Sequence, residues 1–159
     1  LMFQVGDKIV HPMHGAGIVD SIVQKKVNGV VREYYVLKLP VGGMLVMIPT
    51  HNCEEIGVRP VIPGEEADRV LAAIPEIQVE ITQNWNQRYR ENMLRIKSGD
   101  LMEVARVVKS LVQRDGERGP STGERKMLHS AKQILISEIV LSQDSSYEAV
   151  EARLDRALS

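Results

Sequence analysis

The pattern of hydrophobic and polar residues changes its period near residue 62. Before that point, the runs "GAGIVDSIVQKKV" and "VVREYYVLKL" are rich in β-branched residues and predict strands. Between them lies Asn28-Gly29, which predicts a tight hairpin because both turn positions need positive φ. Further runs at "DKIVH", "MLVMIP" and "EIGVRPVI" bring the expected number of short antiparallel strands to four or five. A small, strongly bent β-barrel is the fold that this half predicts.

After residue 62, apolar residues recur at helical spacing, as in "LMEVARVVKSLVQR". A helix that begins near Asn84 is expected to end near Ser98-Gly99, and Asp100 can cap the next one. Ser121 and Glu124 form the capping pattern S-x-x-E at the start of a long helix. The sequence therefore predicts an α+β protein, with a β domain at residues 1–62 and an all-α bundle at residues 63–159.

Composition narrows the function by exclusion. The chain has 159 residues and a single cysteine, Cys53, which is typical of a reducing cytoplasm. No apolar run approaches the ~20 residues that span a bilayer. We find neither a phosphate-binding glycine loop nor a catalytic Ser or Cys motif, so an enzyme is not expected. His11 and His14 have H-x-x-H spacing without a second ligand pair, so neither a metal nor a cofactor is expected.

Charge is distributed unevenly, although the net charge is only -1. Residues 84–132 contain eleven basic and six acidic side chains, whereas residues 65–83 and 133–159 are both acidic overall. A basic segment between acidic ones is typical of a surface that meets phosphates. A solvated helical surface with mixed charges would give the same pattern, so charge alone leaves both interpretations open.

The only tryptophan lies in the polar stretch "QNWNQRYR". Trp85 begins a stripe that continues through Tyr89, Met93 and Ile96, and this helical spacing predicts a core residue. Its position in the first helical turn, among amides and arginines, instead predicts an exposed indole that stacks on or wedges beside a base. Periodicity does not decide between the two.

Longer stretches resemble the CarD/CdnL family of bacterial transcription regulators. They are "FQVGDKIVHPMHGAGIV", "NWNQRYRENMLRIKSGD" and "EVARVVKSLVQRDGERGPSTGERKML". The first alone is ambiguous, because the transcription-repair coupling factor has a similar domain, but the helical half is particular to this family. The resemblance implies a Tudor-like β domain that docks on the β subunit of RNA polymerase. It also implies a helical domain that stabilises the open complex at the upstream edge of the promoter bubble, with a tryptophan wedged in the minor groove.

The resemblance assigns residues to both contacts. The expected DNA-binding residues are Trp85, Arg88, Arg90, Arg125 and Lys126. The expected polymerase-binding residues are Lys25, Lys26, Val27, Met47 and Pro49. Met47 departs from the basic residue that the family often has at this position, so we expect an apolar contact there.

Two alternatives stay open at this level. One is an independent sequence-specific DNA binder, although the sequence has no zinc finger, basic zipper or clear recognition helix. The other is a protein-protein adaptor, in which the helical half binds a protein instead of DNA, with Trp85 in its core. The expected contacts with DNA depend little on the base sequence of the promoter. We expect a cytoplasmic protein that reaches the nucleoid through RNA polymerase, with no membrane contact, either as a monomer or as a domain-swapped dimer.

Overall fold

The computed structural model describes residues 2–80, 82–118 and 121–159. In this part of the chain, no helix is both long enough and apolar enough to cross a membrane. An antiparallel sheet is followed by a group of helices, which confirms the predicted α+β class.

The first half folds into five short strands. These are β1 (Lys8–His11), β2 (Gly15–Val27), β3 (Val30–Lys38), β4 (Leu45–Pro49) and β5 (Arg59–Pro60), in the order β4-β3-β2-β1-β5. Val27 lies opposite Val30 across the predicted hairpin, and Asn28 and Gly29 have φ values of 52° and 79°. One face of the sheet covers a small core that includes Tyr35 and Leu37.

Two details of the β half differ from the sequence prediction. The sheet is open and not a closed barrel: among the described strands, β4 and β5 form its two edges and do not pair with each other. The stretch "EIGVRPVI" contributes only the two-residue β5, because α1 (Cys53–Ile56) occupies its start. Gly57 ends this helix in the left-handed region, at φ 97°, and Pro60 has no N–H with which to extend the ladder.

The second half is helical, as predicted. Its helices are α2 (Gly64–Ala73), α3 (Trp85–Lys97), α4 (Leu101–Arg118), α5 (Thr122–Gln143) and α6 (Tyr147–Leu158). The expected caps are present: Asp100 accepts a hydrogen bond from Met102 N–H at 2.9 Å, and Ser121 accepts one from Glu124 N–H at 3.1 Å. Asn84 also caps α3, accepting from Gln87 N–H at 3.0 Å. Residues 134–141 of α5 are buried without interruption, so this helix forms the centre of the bundle.

Helix α3 is rotated relative to the predicted stripe. Its buried residues are Arg88, Asn92 and Ile96, whereas Tyr89 and Met93 are only partly buried against the core. Two polar side chains therefore occupy the inward face, and hydrophobic periodicity could not identify them.

The C-terminal part of α5 joins the bundle to the sheet. Ser137 Oγ accepts a hydrogen bond from Ala16 N–H at 2.9 Å. Gly15, at φ 97°, lies so close that a Cβ there would be 2.6 Å from the same oxygen. The Glu138 carboxylate accepts hydrogen bonds from both terminal nitrogens of Arg59, each at 2.7 Å, and from Ile62 N–H at 2.9 Å. Helix α5 thus contacts the sheet through its own C-terminal part.

Candidate nucleic-acid and protein interfaces

The Trp85 indole lies at the other end of α5. Trp85 is 41% exposed, and its ring stacks on Tyr89, with centroids 5.2 Å apart and planes 18° from parallel. Its Nε1–H donates to Ser121 Oγ at 2.9 Å. A Cβ built on Gly123 would lie 3.4 Å from indole Cζ2. The indole is therefore held between the first turns of α3 and α5, outside the core cluster.

This contact brings two helix N-termini together. Trp85 is the first residue of α3, and Ser121 caps α5. The first amides of a helix lack intrahelical partners, and the helix dipole adds partial positive charge there. A phosphate group is therefore favoured beside the indole.

Three of the predicted DNA-binding cations are exposed. Arg125 and Lys126 both lie in the first turn or so of α5. Lys126 lines the same surface groove as Gly123 and Tyr89, whereas Arg125 is two residues from Gly123 and lies about 160° away around the α5 axis. Arg90 is also exposed, but five residues separate it from Trp85, which places it about 140° around the α3 axis. None of the three forms an ion pair with another described residue. The structure thus places Lys126 close to the Trp85–Tyr89 stack, and it leaves Arg90 on a different side of α3 and Arg125 on a different side of α5 from Gly123.

The expectation that Arg88 contacts DNA requires a correction. Its side chain is buried, and it binds Glu124 through Nε at 3.0 Å and Nη2 at 3.2 Å. Its remaining nitrogen donates to Thr82 O at 2.8 Å. A guanidinium with these buried partners is not available to a phosphate, so Arg88 belongs to the support of the surface and not to the surface itself.

Glu124 links three helices beneath the indole. Besides Arg88 of α3, it binds Arg114 Nε of α4 at 3.2 Å, and it is only 2% exposed. Burial by itself raises the pKa of this carboxyl. The hydrogen bonds and charges of the two arginines outweigh burial, and the pKa of Glu124 lies below its ordinary value.

The predicted polymerase-binding residues lie on the outer part of the sheet. Met47 and Pro49 belong to the edge strand β4 and pair with Val36 and Tyr34 of β3. Strand alternation places Lys25 and Val27 on the same face of the sheet as Met47 and Pro49. Lys26 pairs with Val31 and lies on the opposite face. Four of the five residues therefore share one outward face.

Arg32 is a residue that the sequence reasoning missed. It is exposed and lies directly opposite Lys25 on the outward face. Such cross-strand neighbours have Cβ atoms about 5 Å apart, so Arg32 offers an arginine fork beside the lysine. The hairpin register was the available signal, since pairing Val27 with Val30 implies pairing Lys25 with Arg32.

The histidine pair shows no sign of a metal site. The rings of His11 and His14 are 4.6 Å apart, and the pKa of His11 is lowered first by burial and then by its neighbour. Among the described residues, no group of three or more His, Cys, Asp or Glu side chains is arranged to hold a metal ion.

Together these features describe a two-part protein: a sheet with an exposed edge strand, joined to a helical bundle that presents an indole and basic side chains. Comparison with known proteins gives the family. Residues 3–62 match the family model described as "CarD-like/TRCF RID domain", and residues 69–155 match "CarD, C-terminal domain".

A relative from Bacillus subtilis (strain 168), named "Putative transcription factor YdeB", is 37% identical over 138 residues. That alignment covers 87% of this chain and 90% of the relative. The chain therefore belongs to the CarD family of transcription factors.

Proposed function

We propose that this protein binds the β subunit of RNA polymerase through its sheet and stabilises the promoter open complex through Trp85. The observation that supports this most strongly is the indole itself. Trp85 is 41% exposed, it lies at two helix N-termini, and Lys126 lines the neighbouring groove with Tyr89 and Gly123. An exposed aromatic ring next to phosphate-binding groups suits insertion at a base step.

The proposed polymerase contact uses the outward face of β2, β3 and β4. Met47, Val27 and the neighbouring Leu45 expose apolar surface, and Lys25 and Arg32 add charge. The outer edge of β4 has backbone groups without a strand partner among the described residues, which favours pairing with a strand of the partner. We assign residues 1–62 to this docking unit and residues 63–159 to the DNA-contacting unit.

The mechanism requires no catalysis by this chain. Docking raises the local concentration of the helical half at the bubble, so weak DNA contacts are sufficient. Phosphate contacts by Arg125, Lys126 and, on another side, Arg90 orient the bundle without reading sequence. The indole then favours the state in which a base step is unstacked. A preference of about 1.4 kcal/mol would shift the balance between closed and open complex tenfold.

The direction of regulation depends on the promoter in this proposal. Promoters limited by bubble opening gain activity, whereas those limited by escape of the polymerase lose it. The protein acts in the bacterial cytoplasm, at the nucleoid, because its place on DNA is set by the polymerase.

The decisive experiment measures open-complex lifetime on a defined promoter. We expect Trp85→Ala to shorten the lifetime severalfold while polymerase binding stays unchanged. Leu94→Ala is the matched control, because Leu94 is an exposed apolar residue of the same helix, about 180° away from Trp85. Equal lifetimes for wild type and Trp85→Ala would reject the wedge.

The polymerase contact is tested separately. The double variant Lys25→Glu, Met47→Glu should lose capture of the β subunit, because it reverses a charge and places another on an apolar contact. Lys26→Glu is the matched control from the opposite face of β2 and should bind as wild type does. Undiminished capture by the double variant would reject this surface.

The adaptor interpretation requires a buried indole, which the observed exposure does not favour. Since Trp85 is the only tryptophan, its fluorescence distinguishes the two cases. We expect forked promoter DNA, added with polymerase, to protect Trp85 from acrylamide. If acrylamide quenches Trp85 equally with and without the DNA, the result would favour the adaptor.

A further inference from the structure

The Ser121 hydroxyl links the indole to the start of α5. Its oxygen accepts hydrogen bonds from Trp85 Nε1 at 2.9 Å and from Glu124 N at 3.1 Å, and it lies 3.4 Å from Glu124 Oε1. A serine oxygen has two acceptor sites, so both are used. The two donors come from different helices, and together they fix where the oxygen lies relative to the indole.

The residue that donates to Ser121 is itself well held. Glu124 is buried and its carboxylate is bound by Arg88 and Arg114. A chain of contacts therefore runs from α3 and α4, through Glu124 and its backbone N–H, to the hydroxyl and then to the indole. Tyr89 covers one face of the ring, and the absent side chain of Gly123 leaves room for the Cζ2 edge.

We propose that Ser121 is a positioning residue that locks the Trp85 indole in the orientation in which it meets DNA. This inference rests on the proposed wedge and deepens it. The edge that carries Nε1 and Cζ2 faces α5, and the Nε1–H is bonded to Ser121 there. Because the only polar group of the indole is already bound, the ring acts by shape and stacking, in agreement with contacts that tolerate different sequences.

The lock also reduces the cost of binding. A ring that is free to change rotamer loses that freedom when it inserts beside a base, whereas a ring that is already fixed does not. One net hydrogen bond corresponds to a factor of about two to ten in an equilibrium constant, and this is the expected size of the Ser121 contribution to open-complex lifetime.

Ser121→Gly removes the hydroxyl but is mild for the helix, since glycine is well tolerated at an N-cap. We expect faster decay of Trp85 fluorescence anisotropy, stronger acrylamide quenching in the free protein, and an open-complex lifetime shortened about two- to tenfold. Polymerase capture should not change. Ser121→Thr keeps a hydroxyl and should restore all three values.

Ser146→Gly is the matched control. Ser146 caps α6 through Ala149 N–H at 3.2 Å and is not bonded to the indole, so its replacement should leave the fluorescence and the lifetime unchanged. If the control changes the anisotropy as much as Ser121→Gly does, the effect is a general loosening of the bundle and the inference is wrong.

Two further outcomes separate this inference from the proposed function. If Trp85→Ala shortens the lifetime but Ser121→Gly leaves either the anisotropy or the lifetime at the wild-type value, the lock is rejected and the wedge stands. If Trp85→Ala has no effect on the lifetime, the wedge is rejected, and the functional role proposed for Ser121 fails with it, whatever the anisotropy shows.

Discussion

Helix α5 contains two buried glutamates, one near each end, and both are held by arginine. Glu124 binds Arg88 and Arg114, so its partners all lie within the helical half. Glu138 binds Arg59 and the amide of Ile62, at the junction with the sheet. Similar chemistry therefore has two different uses: the first site supports the indole, and the second holds the two halves together.

The two sites also differ in how well water can replace a missing partner. The Arg88 side chain is 6% exposed, whereas the Arg59 side chain is 28% exposed. A buried charge without its partner is costly when water cannot reach it, and less costly when the side chain can turn outward. Removing either carboxylate should therefore reveal which end of α5 is the more dependent on its ion pairs.

The largest expected effect is that of Glu124→Ala. It leaves Arg88 without a counterion in the interior and should lower the free energy of unfolding by about 3–5 kcal/mol. Urea unfolding at neutral pH, followed by circular dichroism, measures this change. A decrease below about 1 kcal/mol would mean that the arginines find other partners.

The loss of stability in the same variant should depend on pH. The pKa of Glu124 is lower in the folded protein than its ordinary value, so its stabilising contribution is complete above the pKa of the unfolded chain. The contribution disappears as the pH falls through the lower pKa of the folded protein. The stability difference between wild type and Glu124→Ala should therefore narrow on acidification, and a difference that widens would contradict this account.

Glu138→Ala should cost less, about 2–3 kcal/mol, because Arg59 can reach solvent. Its functional effect is different, since it loosens the sheet from the bundle while leaving both proposed binding surfaces intact. We expect normal capture of polymerase but a shorter open-complex lifetime. An unchanged lifetime in a variant that unfolds more easily would show that the fixed orientation of the halves is not required.

Asp144→Asn tests the exposed contact at the same junction. Asp144 forms a 2.9 Å ion pair with Lys8, and asparagine tolerates its left-handed conformation at φ 50°. Because the carboxylate is 87% exposed, the decrease in stability should be below about 1 kcal/mol. A larger decrease in urea unfolding would mean that this surface pair shares the role of Glu138.

The smallest effect on stability is expected for Arg125→Ala combined with Lys126→Ala, within about 0.5 kcal/mol, since both side chains are exposed. Function should change although stability does not. In a plot of the logarithm of open-complex lifetime against the logarithm of salt concentration, the slope should become shallower by about one unit for each phosphate that is no longer neutralised. A stable variant with an unchanged salt slope would remove these residues from the proposed DNA surface.

The features that the sequence predicts correctly follow from local rules. The Asn28-Gly29 hairpin, the caps at Asp100 and Ser121, and the change from strands to helices each depend on residues within a few positions of one another. The S-x-x-E pattern identifies the start of α5. It does not reveal that the Glu124 carboxylate turns inward to bind arginines from two other helices.

Two of the differences between prediction and structure have a physical cause as well. The family resemblance places Arg88 among the DNA contacts, but the carboxylate that makes its burial possible lies 36 residues away and no local pattern reveals it. The number of short strands suggests a closed barrel, but closure requires the two edge strands to meet, and β5 is only two residues long.

The sequence by itself determined the type, order and caps of the main elements and, through a family resemblance, the region that contains the proposed site. Only the tertiary structure decided which side chains face outward. The indole contacts Ser121 across 36 residues, and Arg59 reaches Glu138 across 79. Such contacts depend on how the helices pack, which no local spacing specifies. Trp85 is therefore neither a core residue nor a free one, because packing places its hydrogen-bond partner at the start of another helix.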